Sequence, residues 1–300
     1  MTESAITIEG LHFSYGKKQV LKGVDLEVPK GSIFGFLGRN GTGKTTTIKT
    51  LLGLQKPQAG RCVIGGLDSF TETLEVRRRI GFMAEDQQMY GWMTISRIIK
   101  WVAGFYPDWD YKFADELADK LGLPKNTKVK ALSKGQNSSL ALLLALGHRP
   151  DIVILDDPTL GLDPIARKDF LRHVIELLQS NGVTVFFSSH LLYEIEPVAD
   201  HIAILDQGVI IKASRTEQLR ESVRKFVLIP KQEVNFSKLA GILDILKVGD
   251  NVSITVDDCN EEKRNRLKGM SINGMTEVAL NLDEIFEAYV IGNRGRELSV

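Results

Sequence analysis

Cysteine is almost missing from this chain of 300 residues. The two present, Cys62 and Cys259, stand far apart and outside any metal-ligand or redox spacing. That excludes a disulfide framework and a thiolate metal site, and leaves reduced thiols in a cytosolic protein as the default. Net charge is missing too: 38 Lys plus Arg balance 38 Asp plus Glu, so no basic field draws the chain to nucleic acid. Long apolar runs do not occur. The longest apolar helix candidate, Leu140–Leu146, falls far short of the ~20 residues that span a bilayer. Any membrane path would therefore belong to another chain. Met1-Thr2-Glu3-Ser4-Ala5 lacks a basic stretch followed by an apolar one, so it does not read as a signal peptide. There is no internal repeat and no low-complexity tract. What remains, 43% hydrophobic and 25% charged residues, suits one large domain, or one with a small extension.

The hydrophobic pattern gives the organisation. Ile6, Ile8, Leu11, Phe13 and Tyr15 read as strand with a turn at Glu9-Gly10, and Val24–Val28 as a second short strand before Pro29-Lys30-Gly31. Val63 and Ile64 between glycines make another strand edge. From Ser96 to Leu146 the pattern is helical, broken by Pro107 and Pro124. Ile152–Leu155 and Val183–Phe187 are buried strands around a helical stretch at 165–180, and Ile202–Leu205 with Gly208–Ile210 suggests a closing hairpin. Strands alternating with helices imply a largely parallel α/β sheet. After residue 225, Lys225–Pro230, Asn251–Val256 and a helix over Leu282–Val290 suggest a small α+β extension over 226–300.

The most informative segment is Gly38-Arg39-Asn40-Gly41-Thr42-Gly43-Lys44-Thr45, which fits the pattern Gly, four residues, Gly-Lys-Ser/Thr. It follows the apolar strand Ile33–Leu37 and precedes a run that can start a helix. Glycines let successive N–H groups point inward at phosphate oxygens, and the helix dipole adds positive charge there. Lys44 is expected to reach the β- and γ-phosphates of a nucleotide, and the Thr45 hydroxyl to ligate Mg²⁺. Gly38, Asn40, Gly41, Gly43, Lys44, Thr45 and Thr46 are the candidate nucleotide contacts.

Such a site needs a second acidic element for Mg²⁺. The strand Ile152–Leu155 ends in Asp156-Asp157, followed by Pro158-Thr159-Leu160-Gly161-Leu162-Asp163. Upstream lies Leu132-Ser133-Lys134-Gly135-Gln136, downstream Ser188-Ser189-His190, and Tyr15 precedes the glycine loop. Together, over about residues 6–215, these segments resemble the ATP-binding subunit of an ABC transporter. Phe105–Trp109 and the Leu-Ser-Lys-Gly signature are similar to a subgroup of exporter-type subunits.

The resemblance implies a P-loop NTPase core over 1–225, with an N-terminal antiparallel β subdomain and an inserted helical subdomain at about 90–148. It implies ATP and Mg²⁺ as ligands, and a head-to-tail dimer of two ATP-binding subunits that drives separate transmembrane permease subunits from the cytoplasmic face of the membrane. In that scheme Tyr15 stacks on adenine. Ser133, Gly135 and Gln136 cover the γ-phosphate of the opposite protomer. Asp163 is a further candidate nucleotide contact, Asp156 holds the metal, and His190 hydrogen-bonds the γ-phosphate. Plainer roles stay open beside these: strand packing for Tyr15, a helix cap for Asp163, a loop position for His190. Rival function classes are a nucleotide gate that barely hydrolyses and a soluble ATPase acting on nucleic acid or ribosomes. The single cassette and zero net charge speak against the latter.

Three positions depart from the family. Asp157 stands where a Glu usually polarises the attacking water, so on the order of 1 Å of reach is lost, a displacement that can cost ~100-fold in rate. Asp157 is still expected to act as base or water anchor. In the segment Ile80–Glu85, read as a loop, Glu85 aligns with a Gln that contacts Mg²⁺, with Gln87 and Gln88 as rivals. Lys134 replaces a signature glycine and either adds a cation near the γ-phosphate or points to solvent. Trp92, Trp101 and Trp109 fall in one stretch with Tyr90, Phe105 and Tyr106, either packing the helical subdomain or forming a docking groove for the membrane partner.

Overall fold

The computed structural model describes residues 3–179, 182–231 and 239–292. Met1, Thr2, residue 180 of the expected helix, and 232–238 and 293–300 of the expected extension lie outside them. The chain forms two compact units, 1–213 and 214–300.

The first unit opens with β1 (Ser4–Tyr15) and β2 (Lys18–Pro29), which alternate buried and exposed residues and pair antiparallel. The expected turn at Glu9-Gly10 is instead an irregularity in register between Ile8 and Leu11 within one continuous strand. The second strand also runs longer than Val24–Val28, because pairing with β1 carries it back to Lys18. β4 (Ala59–Ile64) and β5 (Leu67–Asp68) complete a four-stranded sheet, in the order β2-β1-β4-β5.

A six-stranded sheet carries β3 (Ile33–Leu37), β6 (Ile80–Met83), β7 (Ile152–Asp156), β8 (Thr184–Ser189), β9 (His201–Asp206) and β10 (Val209–Arg215), in the order β10-β9-β3-β8-β7-β6. The strands from β9 through β6 pair in parallel. β7 and β8 are buried at every position, which is why they read as unbroken apolar runs. Ile80–Met83 belongs here as an edge strand; the segment expected to be a loop pairs with β7 along its length. Its glycine and short run hid the strand from a pattern reading.

Helix α1 (Lys44–Leu51) follows the glycine loop, and α2 (Thr73–Arg79) precedes β6. The helical stretch resolves into α3 (Ile95–Ala103), α4 (Tyr111–Lys120) and α5 (Lys134–Leu146). Each starts at a side-chain cap: Thr94, Asp110 and Ser133 accept from Arg97, Phe113 and Gln136 amides. α6 (Pro164–Gln179) and the short α7 (Leu192–Ile195) flank β8 in sequence. The aromatic stretch divides. Trp109 is buried at 7%, whereas Trp92 and Trp101 are 62% and 44% exposed. Tyr90 packs edge-on against Trp101, and Trp101 against Phe105, with ring centroids 5.1 and 5.0 Å apart.

The second unit holds α8 (Thr216–Ser222), β11 (Arg224–Pro230), β12 (Ile242–Val248), β13 (Asn251–Val256), α9 (Glu261–Met270), β14 (Ser271–Ala279) and α10 (Leu282–Val290). Its sheet, ordered β12-β13-β11-β14, is antiparallel and has its own core around Phe226, Ile254 and Leu267. The break between the units lies ahead of residue 225. The Cys259 amide donates to Ser222 O at 2.8 Å, tying α8 to the second unit.

Gly147, just after α5, has ordinary helical φ, but a Cβ there would lie 2.3 Å from the Trp109 ring. Gly147→Ala should therefore displace the ring and lower stability by about 1–3 kcal/mol, read as a fall in the urea midpoint of the first unit.

Candidate active site

The carboxyl ends of β3, β8 and β7 lie side by side, where open α/β sheets bind ligands. Leu37 pairs with Ser189, and Asp156 with Ser188. The chain leaves β3 through the glycine loop and enters α1 at Gly43, whose φ of 118° suits glycine and denies most other residues. Gly43 offers no capping side chain, and the first turn of α1 carries no acid. Its amides therefore remain suited to an anion.

Lys44, the first residue of α1, is buried. Its ammonium donates to Gly38 O at 2.9 Å and pairs with Asp157 Oδ2 at 3.4 Å. Asp157 follows β7 with φ 41°, a left-handed conformation uncommon outside glycine. Its other oxygen, Oδ1, lies 2.8 Å from His190 Nδ1 and accepts the His190 amide at 3.2 Å. Lys44 and His190, both expected at the phosphates, and Asp157, expected to act on the water, are thus joined through one carboxylate. A cleft of about 290 Å³ opens beside them, lined by Tyr15, Asn40, Gly41, Gly43, Lys44, Thr45, Thr46, Glu85 and Asp157. Lys18 and Val20 also line it. Sequence reasoning missed both. Their signal was the β1–β2 pairing, which sets Lys18 opposite Tyr15. Tyr15 is half exposed, and its hydroxyl accepts from Gln55 Nε2 at 2.7 Å.

Asp156, buried at the end of β7, sits beside Thr45 and near Asp157 and Glu85. Burial pushes its carboxyl above the usual carboxylate range; hydrogen bonds from Ser188 and Thr45 oppose that, and the neighbouring acids reinforce it. Thr45 Oγ1 donates to Glu85 Oε2 at 3.4 Å. Gln87 is committed elsewhere: its amide nitrogen donates to Pro158 O at 3.3 Å, and its Oε1 accepts from Ser138 at 2.9 Å. Gln88 donates to Asp86 at 2.7 Å. Of the three rivals, Glu85 is the one on Thr45.

Thr45, Asp156 and Glu85 form an all-oxygen donor set whose crowded carboxylates a divalent cation would relieve, which fits Mg²⁺. Among the described residues no three His, Cys, Asp or Glu side chains could hold a metal by themselves.

Ser133, Gly135, Gln136 and Asp163 do not line this cleft. Ser133 and Gln136 form a capping box at the start of α5, with bonds of 3.2 and 3.1 Å. Asp163 caps α6, its Oδ1 accepting the Ile165 and Ala166 amides at 3.0 Å each. Lys134 is exposed, and its ammonium lies beside Gly161, 3.2 Å from where a Cβ would stand.

Comparisons with known proteins bear on the family and the fold. The family model described as ABC transporter matches residues 21–160. YdbJ of Bacillus subtilis (strain 168), an uncharacterized ABC transporter ATP-binding protein, is 35% identical over 246 residues, covering 80% of this chain and 79% of its own. The bacitracin transport ATP-binding protein BcrA of Bacillus licheniformis is 37% identical over 215 residues, covering 71% and 70%. The dimeric structure of MJ0796, a bacterial ABC transporter cassette, superposes with a TM-score of 0.63 at 23% identity, covering 70% of this chain and 98% of that one. At that identity the likeness bears on the fold alone.

The Lys44–Asp157 pair gives a direct test. Lys44→Met strands a buried carboxylate and should lower stability by about 3 kcal/mol. Adding Asp157→Asn should return part of that loss, and urea unfolding of the single and double variants measures the coupling.

Proposed function

Since the chain belongs to the family of ABC transporter ATP-binding proteins, we propose that two such subunits close around Mg-ATP, hydrolyse it slowly and drive separate transmembrane subunits. The observation that carries this reading is the single carboxylate of Asp157 shared by Lys44 and His190. When a triphosphate enters the glycine loop, Lys44 exchanges its carboxylate contact for phosphate oxygens. Asp157, still bonded to His190, then accepts a hydrogen bond from the attacking water. Thr45, Asp156 and Glu85 would hold Mg²⁺, which when bound would supply charge neutralisation at the phosphates. Tyr15 offers its half-exposed ring to adenine.

The second protomer contributes Ser133 and Gly135 at the start of α5, where amide dipoles favour the γ-phosphate. Slow turnover follows from the shorter reach of Asp157.

No described helix is long and apolar enough to cross a membrane, so the membrane path is assigned to partner subunits, with this chain on their cytoplasmic face. Tyr90, Trp92, Trp101 and Phe105, all exposed, form the docking patch for that partner.

Steady-state ATPase assays of the assembled complex test the reaction. Asp157→Asn should lower turnover by roughly 100-fold or more, and an unchanged rate removes Asp157 from the mechanism. Trp92→Ala or Trp101→Ala should uncouple transport and weaken assembly with the membrane subunits while ATP affinity stays put. Intact assembly in both variants counts against the patch.

A further inference from the structure

β8 is apolar through Val185, Phe186 and Phe187, then places a serine, Ser188, at a position with no exposed surface. Its hydroxyl donates to Asp156 Oδ1 at 2.6 Å and accepts the Asp157 amide at 3.0 Å. That amide already has a backbone acceptor, Ser188 O, at 3.1 Å. The main chain therefore does not need the hydroxyl for its own hydrogen bonding. What the hydroxyl adds is a donor to a side-chain carboxylate and a second hold on a residue in left-handed conformation. The next serine in the strand acts on a different segment. Ser189 Oγ accepts the Leu191 amide at 2.9 Å and so shapes the turn that carries His190.

We propose that Ser188 is a positioning residue that sets Asp156 for the cation and Asp157 for the water through one hydroxyl. Two oxygens of Asp156 could face the cation. With Oδ1 pinned by Ser188, the carboxylate is fixed in one orientation and its other oxygen is the one directed to the metal. The same hydroxyl couples that orientation to the backbone of Asp157, so both acids move together or not at all. This role rests on the reading of Asp156 as the Mg²⁺ ligand.

The test uses the full chain with Ser188→Ala and Ser188→Thr. Binding of the fluorescent nucleotide mant-ATP is measured while Mg²⁺ is titrated, and again in EDTA. Ser188→Ala should raise the half-saturating Mg²⁺ concentration by about 10-fold, since lost outer-shell partners typically weaken metal sites 10–100-fold. Its affinity in EDTA should match the parent, and Ser188→Thr, which keeps the hydroxyl, should titrate near the parent curve. The proposal is overturned if the alanine variant titrates like the parent, if both variants shift alike, or if affinity in EDTA falls by the same factor. Should Ser188→Thr fail to fold, Ser188→Ala decides alone, because it only removes an atom. A parent protein that binds mant-ATP without regard to Mg²⁺ would instead overturn the assignment of Asp156, and this role with it. A parent that binds no mant-ATP would overturn the proposed function.

Discussion

The carboxylate of Asp157 accepts Lys44 on one oxygen and His190 on the other, and burial makes both contacts matter because water cannot stand in for either. Three elements distant in sequence meet there: the start of α1, the end of β7 and the residue after β8. A buried ammonium without this partner would be costly, and a buried carboxylate without the ammonium equally so. The geometry of the glycine loop and of His190 is therefore tied to one acid. Its left-handed backbone is held by the neighbouring strand, through both the carbonyl and the hydroxyl of Ser188.

The parallel sheet makes that meeting possible. Strands β3, β8 and β7 run the same way and end at the same edge, so residues just past each strand converge without long loops. Their cores are apolar on both faces, which leaves polar chemistry only at the ends. Asp156, Asp157, Ser188 and Ser189 are buried polar residues at that edge, and each has a hydrogen-bonding partner. The electrostatic cost is visible at Asp156, whose carboxyl burial pushes upward. Such crowding of oxygen donors suits a site completed by a cation and phosphates rather than by protein alone.

The helical segment between β6 and β7 separates two kinds of aromatic residue. Trp109 closes against Gly147 and the Tyr106–His148 stack. Trp92 and Trp101 stay at the surface with Tyr90 and Phe105. Gln87 reaches from the strand end to α5, bonding Ser138 and Asn137, and to Pro158 just after Asp157. It thus connects the segment after β6 with both the signature helix and the loop after β7. The second unit has a sheet and core of its own, with an internal ion pair between Arg264 and Glu277.

By itself the sequence determined the glycine loop, the strand and helix on either side of it, the acidic pair, the signature segment and the family they belong to. Those features are local: a motif of eight residues and apolar runs of four or five carry their meaning without knowledge of neighbours. Tertiary structure alone decided the rest. It made Ile80–Met83 a strand, because only pairing with β7 stabilises so short an edge. It chose Glu85 over Gln87 and Gln88 at Thr45, and sorted the tryptophans into core and surface. It also joined Lys44, Asp157 and His190, and set Ser188 against the Asp156 carboxylate and the Asp157 amide. Contacts between residues more than thirty positions apart depend on strand order and register, which no short window of sequence contains.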